Sequence, residues 1–121
     1  MAIENQFRRI GVIGLGSVGK AVKHALSFYH PCTGYDIRGD YSWEDVLDTS
    51  VVFICVPTPE GENGRLDCSI VESVLSRLSV SRYAAVVVIK STIGVGFMDE
   101  AVTEYPDLRL VYMPEFLRER S

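Results

Sequence analysis

A glycine-rich hexapeptide, Gly14-Leu15-Gly16-Ser17-Val18-Gly19, follows directly on an apolar, β-branched run and opens a stretch with helical spacing. Taken alone, G-x-G-x-x-G is a weak signal, because glycines also serve ordinary tight turns. Between a strand and a helix it constrains the fold far more tightly. The first glycine permits the turn, the second lets backbone approach a pyrophosphate, and the third allows close helix–strand packing. Free N–H groups at the helix start, at the positive end of the helix dipole, then favour a diphosphate. The motif therefore predicts that Gly14, Gly16, Ser17, Val18 and Gly19 hold a dinucleotide. Asp36 discriminates between cofactors: it ends the second β-rich run, 20 residues after Gly16 and 17 after Gly19. A carboxylate there accepts hydrogen bonds from both adenosine ribose hydroxyls and repels a 2′-phosphate, so NAD is expected rather than NADP. Arg38 pulls the other way, since an arginine near this position can hold a 2′-phosphate. Its simpler reading is an exposed loop residue.

The rest of the chain alternates in the same manner. Five β-rich runs stand at residues 9–14, 32–36, 51–56, 84–90 and 108–113, and three of them are near-continuously apolar. Strands read this way when helices cover both faces of a parallel sheet. Between the first two runs, Val18, Ala21, Val22, Ala25, Leu26 and Tyr29 recur at helical spacing, and Pro31 closes that helix. A short helix is expected around 42–48, with Ser42 and Asp45 as a near capping box. A third helix, over 67–78, takes Asp67 as its N-cap, and Phe97, Met98, Ala101 and Val102 suggest a fourth. Repeated strand–helix–strand units predict an α/β fold, a doubly wound parallel sheet of Rossmann type with strand order 3-2-1-4-5, as a single domain over residues 1–121.

At 121 residues, a domain of this kind buries roughly two-thirds of its unfolded surface. Twelve Lys and Arg against 16 Asp and Glu leave a formal charge of −4, which argues against nucleic acid or an anionic membrane as partner. No apolar run approaches the roughly 18–20 residues that cross a bilayer. The opening MAIENQFRR carries Glu4 and no apolar stretch, so no secretory leader is expected and the cytoplasm is the expected compartment. Cys32, Cys55 and Cys68 are odd in number and lack C-x-x-C spacing, which argues against a disulfide framework or a metal site.

Three further segments fall just past strand ends, where open α/β sheets bind ligands. These are Val56-Pro57-Thr58-Pro59, Lys90-Ser91-Thr92-Ile93 and Pro114-Glu115-Phe116-Leu117-Arg118-Glu119. Two prolines stiffen the first turn, and Thr58 presents a hydroxyl suited to a ribose or phosphate. Thr92 suits a water or the nicotinamide carboxamide. Glu115 and Glu119 lie four apart and share one face if their segment is helical, so both are candidates for proton transfer or water positioning. The bland readings are turn hydroxyls for the threonines and a solvated charge for Glu119.

Taken together, GLGSVG, VPTP with the following G-x-x-D-x-S, KST and PEFLRE resemble the UDP-glucose/GDP-mannose dehydrogenase family, from about Ile10 to the end. The resemblance implies oxidation of the C6 alcohol of a UDP- or GDP-sugar to a carboxylate with two NAD in succession. It also implies an amino-terminal NAD-binding Rossmann domain, to which this chain corresponds. By resemblance, Val56, Pro57 and Thr58 line the cofactor and Glu115 lies near the nicotinamide. Thr92 helps hold the catalytic water, and Glu119 supports water activation or thioester hydrolysis. Met113, Gly94 and Arg120-Ser121 depart from the family pattern, and by this resemblance the family's helical dimerisation segment and substrate domain are expected to be absent from residues 1–121. Neither Cys32, Cys55 nor Cys68 lies in a motif matching the family's nucleophilic cysteine. The chain is thus expected to bind NAD without completing the oxidation by itself, and to self-associate through surface meant for the absent parts. A standalone NAD-binding or sensing module without catalysis is the alternative, and a fragment of a β-hydroxyacid-type dehydrogenase is a third reading.

Overall fold

A computed structural model describes residues 9–114. Five parallel strands form one sheet: β1 (Ile10–Ile13), β2 (Cys32–Tyr35), β3 (Val51–Ile54), β4 (Val86–Ile89) and β5 (Arg109–Tyr112). Four α-helices connect them: α1 (Ser17–Leu26), α2 (Trp43–Leu47), α3 (Ser69–Val80) and α4 (Phe97–Glu104). Each strand lies inside the run that sequence assigned to it, so the doubly wound α/β reading holds.

The strand order is 2-1-3-4-5, which corrects the expected 3-2-1-4-5. β1 pairs with β2 through Ile10↔Cys32 and with β3 through Ile10↔Val51. Residues 36–50 contain only the five-residue α2 and no strand to lie outside β2. The physical reason lies in which runs are apolar on both faces. IGVI, VVFI and VVVI, apolar on both faces and with every residue but Gly11 large and hydrophobic, are buried or half-buried throughout and take the three interior places. CTGY, preceded by Pro31, and RLVY, opening on exposed Arg109, take the edges, where an unpaired side is tolerated. The order found is the other common doubly wound arrangement.

Side-chain alternation along the strands divides the core. Ile10, Val12, Leu15 and Cys55 pack with Val22 and Leu26 of α1 on one side of the sheet. Ile13, Val52, Ile54, Val87 and Ile89 pack on the other, with Trp43 and Val46 of α2, Val71, Leu75 and Leu78 of α3, and Ala101 of α4. A buried polar triangle closes the far end. Thr49 Oγ1 donates to the Val46 carbonyl at 2.6 Å and lies 2.9 Å from Tyr83 Oη. Burial pushes the Tyr83 phenol pKa up, against the opposing hydrogen bond to Thr49.

Helix starts follow local chemistry. Ser42 Oγ caps α2 by accepting from Asp45 N–H at 3.3 Å. Asp67 is not the N-cap of α3, as expected from sequence: that position is Cys68, and Asp67 Oδ1 accepts instead from Ser69 N–H at 3.0 Å. The long 57–66 connection is not featureless. It folds over a 3-10 turn at Glu62–Gly64 and an antiparallel bridge between Glu60 and Leu66. Among the described residues no helix is long and apolar enough to cross a membrane, and no cluster of His, Cys, Asp and Glu suits a metal ion.

Candidate functional site

The turn from β1 into α1 is built by two glycines that nothing larger replaces. Gly14 has φ +94°, and a Cβ there would sit 2.8 Å from the Cys55 carbonyl and the Val56 nitrogen. A Cβ on Gly19 would stand 1.7 Å from the Gly14 carbonyl oxygen, so α1 approaches the turn only because this residue is glycine. Around Gly16, by contrast, a Cβ would meet nothing within 4 Å, and the backbone there is open to a ligand. Gly16 is the N-cap of α1, no side chain caps the helix, and no acidic residue stands in its first turn. The first N–H groups of α1 thus face outward with the positive end of the dipole, the requirement for a bound diphosphate.

Beyond this turn, the ends of β2, β3 and β4 open into one cleft of about 790 Å³. That volume falls within the roughly 300–1,000 Å³ typical of small-molecule and cofactor sites. It is lined by Gly14, Gly16, Ser17 and Val18 of the fingerprint, by Asp36, by Val56, Pro57 and Thr58, and by Thr92. These sequence-predicted residues therefore meet in a single site. Gly19 lies beneath it as the packing glycine, which is the role the motif assigns. Glu115 and Glu119 lie outside the described residues.

Asp36 is held from two directions. Its Oδ2 accepts from Leu15 N–H at 2.8 Å, which ties the end of β2 to the glycine turn. Its Oδ1 accepts from Arg38 N–H at 2.9 Å, and the Arg38 guanidinium adds Nε–H to Oδ1 at 3.1 Å and Nη2–H to Oδ2 at 3.2 Å. The Arg38 side chain, then the backbone N–H groups of Arg38 and Leu15, hold the Asp36 carboxyl well below the usual carboxylate range. The residue thus lines the cleft as a carboxylate whose anionic form is favoured.

Ser91 is a positioning residue that the sequence did not single out. It is buried, and its Oγ donates to the Val56 carbonyl at 2.7 Å, while the backbone N–H groups of Lys90 and Ser91 both donate to the Ile54 carbonyl. The turn after β4 is thereby clamped to the turn after β3, which fixes Thr92 relative to Thr58. Arg77 of α3 was also missed. Its guanidinium lies 4.0 Å over the Trp43 ring and donates to Tyr35 Oη at 2.8 Å, forming one wall of the cleft. Its signal was present in the helical stripe Ile70, Ser73, Val74 and Arg77, all four of which line the cleft. The stacking partner Trp43 lies 34 residues away, beyond the reach of any local pattern.

The family model for the UDP-glucose/GDP-mannose dehydrogenase family, NAD binding domain, matches residues 32–121. The chain belongs to this family. Its cofactor is NAD, and the open Gly16 backbone, the uncapped α1 start and the anionic Asp36 fit that molecule. The match begins at Cys32, so the glycine turn stands on its own geometry. Among relatives, the chain is 41% identical over 90 residues to UDP-glucose 6-dehydrogenase of Pseudomonas aeruginosa, covering 64% of this chain and 20% of that protein. Among solved structures it resembles a UDP-glucose dehydrogenase from Pyrobaculum islandicum (TM-score 0.72, 26% identity), covering 95% of this chain and 37% of that one. It also resembles GDP-mannose dehydrogenase from Pseudomonas aeruginosa in a ternary complex (TM-score 0.75, 25% identity), covering 92% of this chain and 37% of that one. The chain therefore spans well under half the length of these family members.

Proposed function

We propose that this chain is the cofactor-binding part of a nucleotide-sugar 6-dehydrogenase acting on a UDP- or GDP-hexose. The observation that carries the reading is the single cleft joining the glycine turn, Asp36, Thr58 and Thr92 in a chain of this family. The overall change is R–CH2OH + H2O + 2 NAD⁺ → R–COO⁻ + 2 NADH + 3 H⁺, and bound NAD supplies the hydride acceptor. The contribution of this chain's own residues is to bind and orient. The N–H groups at the start of α1 take the diphosphate, Asp36 takes the adenosine ribose, and Val56, Pro57 and Thr58 line the cofactor. Thr92, exposed at the end of β4 and fixed by Ser91, holds a water beside the reacting carbon. Glu115 and Glu119 are proposed as the nicotinamide-side carboxylate and the group that supports water activation.

The thiol that such a reaction needs as nucleophile is not among the candidates here. Cys55 reaches the cleft but is buried at its floor beside the glycine turn, while Cys32 and Cys68 are half-buried and line no part of it. In this reading the chain binds NAD and leaves the oxidation to residues beyond it, with the cytoplasm as its compartment. Self-association is part of the reading, supported by exposed Val111, Tyr112 and Met113 at the β5 edge of the sheet. Light scattering over a dilution series tests this last point, and a strict monomer at every concentration contradicts it.

A fluorescence titration with NADH, and in parallel NADPH, tests the cofactor reading. Saturable NADH binding with much weaker NADPH binding is expected. Assays with UDP-glucose, GDP-mannose and NAD are expected to show no sustained NADH production from this chain alone. Robust turnover would overturn the assignment of the missing nucleophile to another segment.

A further inference from the structure

A carboxylate offers about four acceptor positions, and on Asp36 all of them are engaged. Arg38 N–H and Nε–H fill Oδ1 at 2.9 and 3.1 Å, and Leu15 N–H and Arg38 Nη2–H fill Oδ2 at 2.8 and 3.2 Å. Two of these donors are backbone groups that the glycine turn and the end of β2 hold in place. The other two hang on a side chain that is 73% exposed, whereas the Asp36 side chain is only 11% exposed. A ribose cis-diol needs two acceptor positions on this carboxylate, and the backbone donors do not move aside without undoing the turn.

We infer that Arg38 is a displaceable stand-in for the ribose diol, and that NAD docks by exchanging the Arg38 Nε–H and Nη2–H donors for its two hydroxyls. Until that exchange, the guanidinium holds the Asp36 carboxylate in place at the cleft, so the site is preformed at the cost of a competitor inside it. Arg38 therefore sets NAD affinity by competition. It also sets cofactor choice. A 2′-phosphate removes one hydroxyl of the diol and cannot replace the guanidinium on a carboxylate, but it can draw the freed guanidinium to itself. Arg38 thus weakens NAD and tempers the exclusion of NADP, while Asp36 enforces that exclusion. The inference rests on NAD occupying this cleft.

The size of the effect follows from the exposure of the pair. Exposed ion pairs are worth a factor of about two to five in an equilibrium constant. Loss of the guanidinium should tighten NADH binding by about that factor. The test is a set of NADH and NADPH titrations on the full chain and on R38M, D36N and the double variant, each checked for native circular dichroism. R38M is expected to bind NADH two- to five-fold more tightly and NADPH no better than the unsubstituted chain. In the D36N background the same substitution should bring no gain, because the amide does not hold the guanidinium as an ion pair. The advantage of R38M should also shrink as salt is raised, since salt already weakens the exposed pair. NADH binding that is unchanged or weaker in folded R38M overturns the inference alone. So does an equal gain in both backgrounds. Failure of the unsubstituted chain to bind either cofactor overturns the NAD assignment and the inference with it.

Discussion

At the scale of single residues, two positions carry opposite kinds of necessity. Gly19 is required by space: its Cβ would fall 1.7 Å from the Gly14 carbonyl, a backbone atom with no rotamer to relax. Gly19→Ala is expected to cost about 3 kcal/mol or more by forcing α1 off the turn, and to remove NADH binding with it. Thermal melting read alongside a titration checks this, and a native melting point would show that the turn yields more easily than its geometry implies. Asp36 is required by chemistry. Asp36→Asn keeps the shape and loses the charge, so the fold should survive while NADH affinity falls roughly tenfold, the worth of a charge-assisted pair of hydrogen bonds. The sequence exposed both residues because each sits at a fixed offset in a motif with a mechanism. It did not expose the engagement of Asp36 by Arg38. A two-residue separation in sequence does not reveal whether a long side chain folds back or reaches into solvent.

At the scale of elements, the sequence showed what each segment is better than where it lies. β-Branched apolar runs located all five strands, and the stripes of α1, α3 and α4 with the Ser42–Asp45 cap of α2 located the four helices, because those patterns are local. Strand order depends on which strand tolerates an edge, and that comparison among CTGY, RLVY and the three interior runs is global. The same division holds in the site. Thr58 and Thr92 were visible as residues after strands, but the Ser91 hydrogen bond that fixes one relative to the other joins residues 35 apart. Ser91→Ala should leave the Val56 carbonyl without its side-chain donor, costing about 1–3 kcal/mol and weakening NADH binding by loosening the turn after β3. Urea denaturation and titration of the same variant separate the two effects. Ser42→Ala, at the start of α2 and outside the cleft lining, is the matched comparison. It should cost about 1 kcal/mol as a lost N-cap with little change in NADH affinity.

At the scale of the whole molecule, the sheet sits between two ionisable devices of opposite sign. Asp36 at the carboxyl ends of the strands has a folded pKa depressed below its unfolded value of about 3.9. Its contribution to stability is complete above about pH 5 and is lost as pH falls through 4 and below. Asp67, shifted the same way by its hydrogen bonds with Ser69, adds to that acid limb. Tyr83 lies at the opposite end, at the entry to β4, with its folded pKa raised above the unfolded value of about 10, chiefly by burial. It favours the fold fully below pH 10, and that contribution disappears as pH rises through the folded value; Tyr105 shifts in the same direction. Denaturation midpoints across pH should therefore form a plateau from about pH 5 to 10 with a shoulder on each side. Asp36→Asn should flatten the acid shoulder in part and leave the alkaline one. Tyr83→Phe should do the reverse, at a cost of about 1 kcal/mol on the plateau for the lost hydroxyl contact with Thr49. NADH affinity should stay level across both shoulders. In the folded chain Asp36 stays ionised well below the usual carboxylate range, and the alkaline onset loosens only the far end of the sheet. An affinity that fell with the acid shoulder would mean that Asp36 protonates in the folded chain, and one that fell with the alkaline shoulder would mean that the cleft and the Thr49–Tyr83 end are not energetically separate.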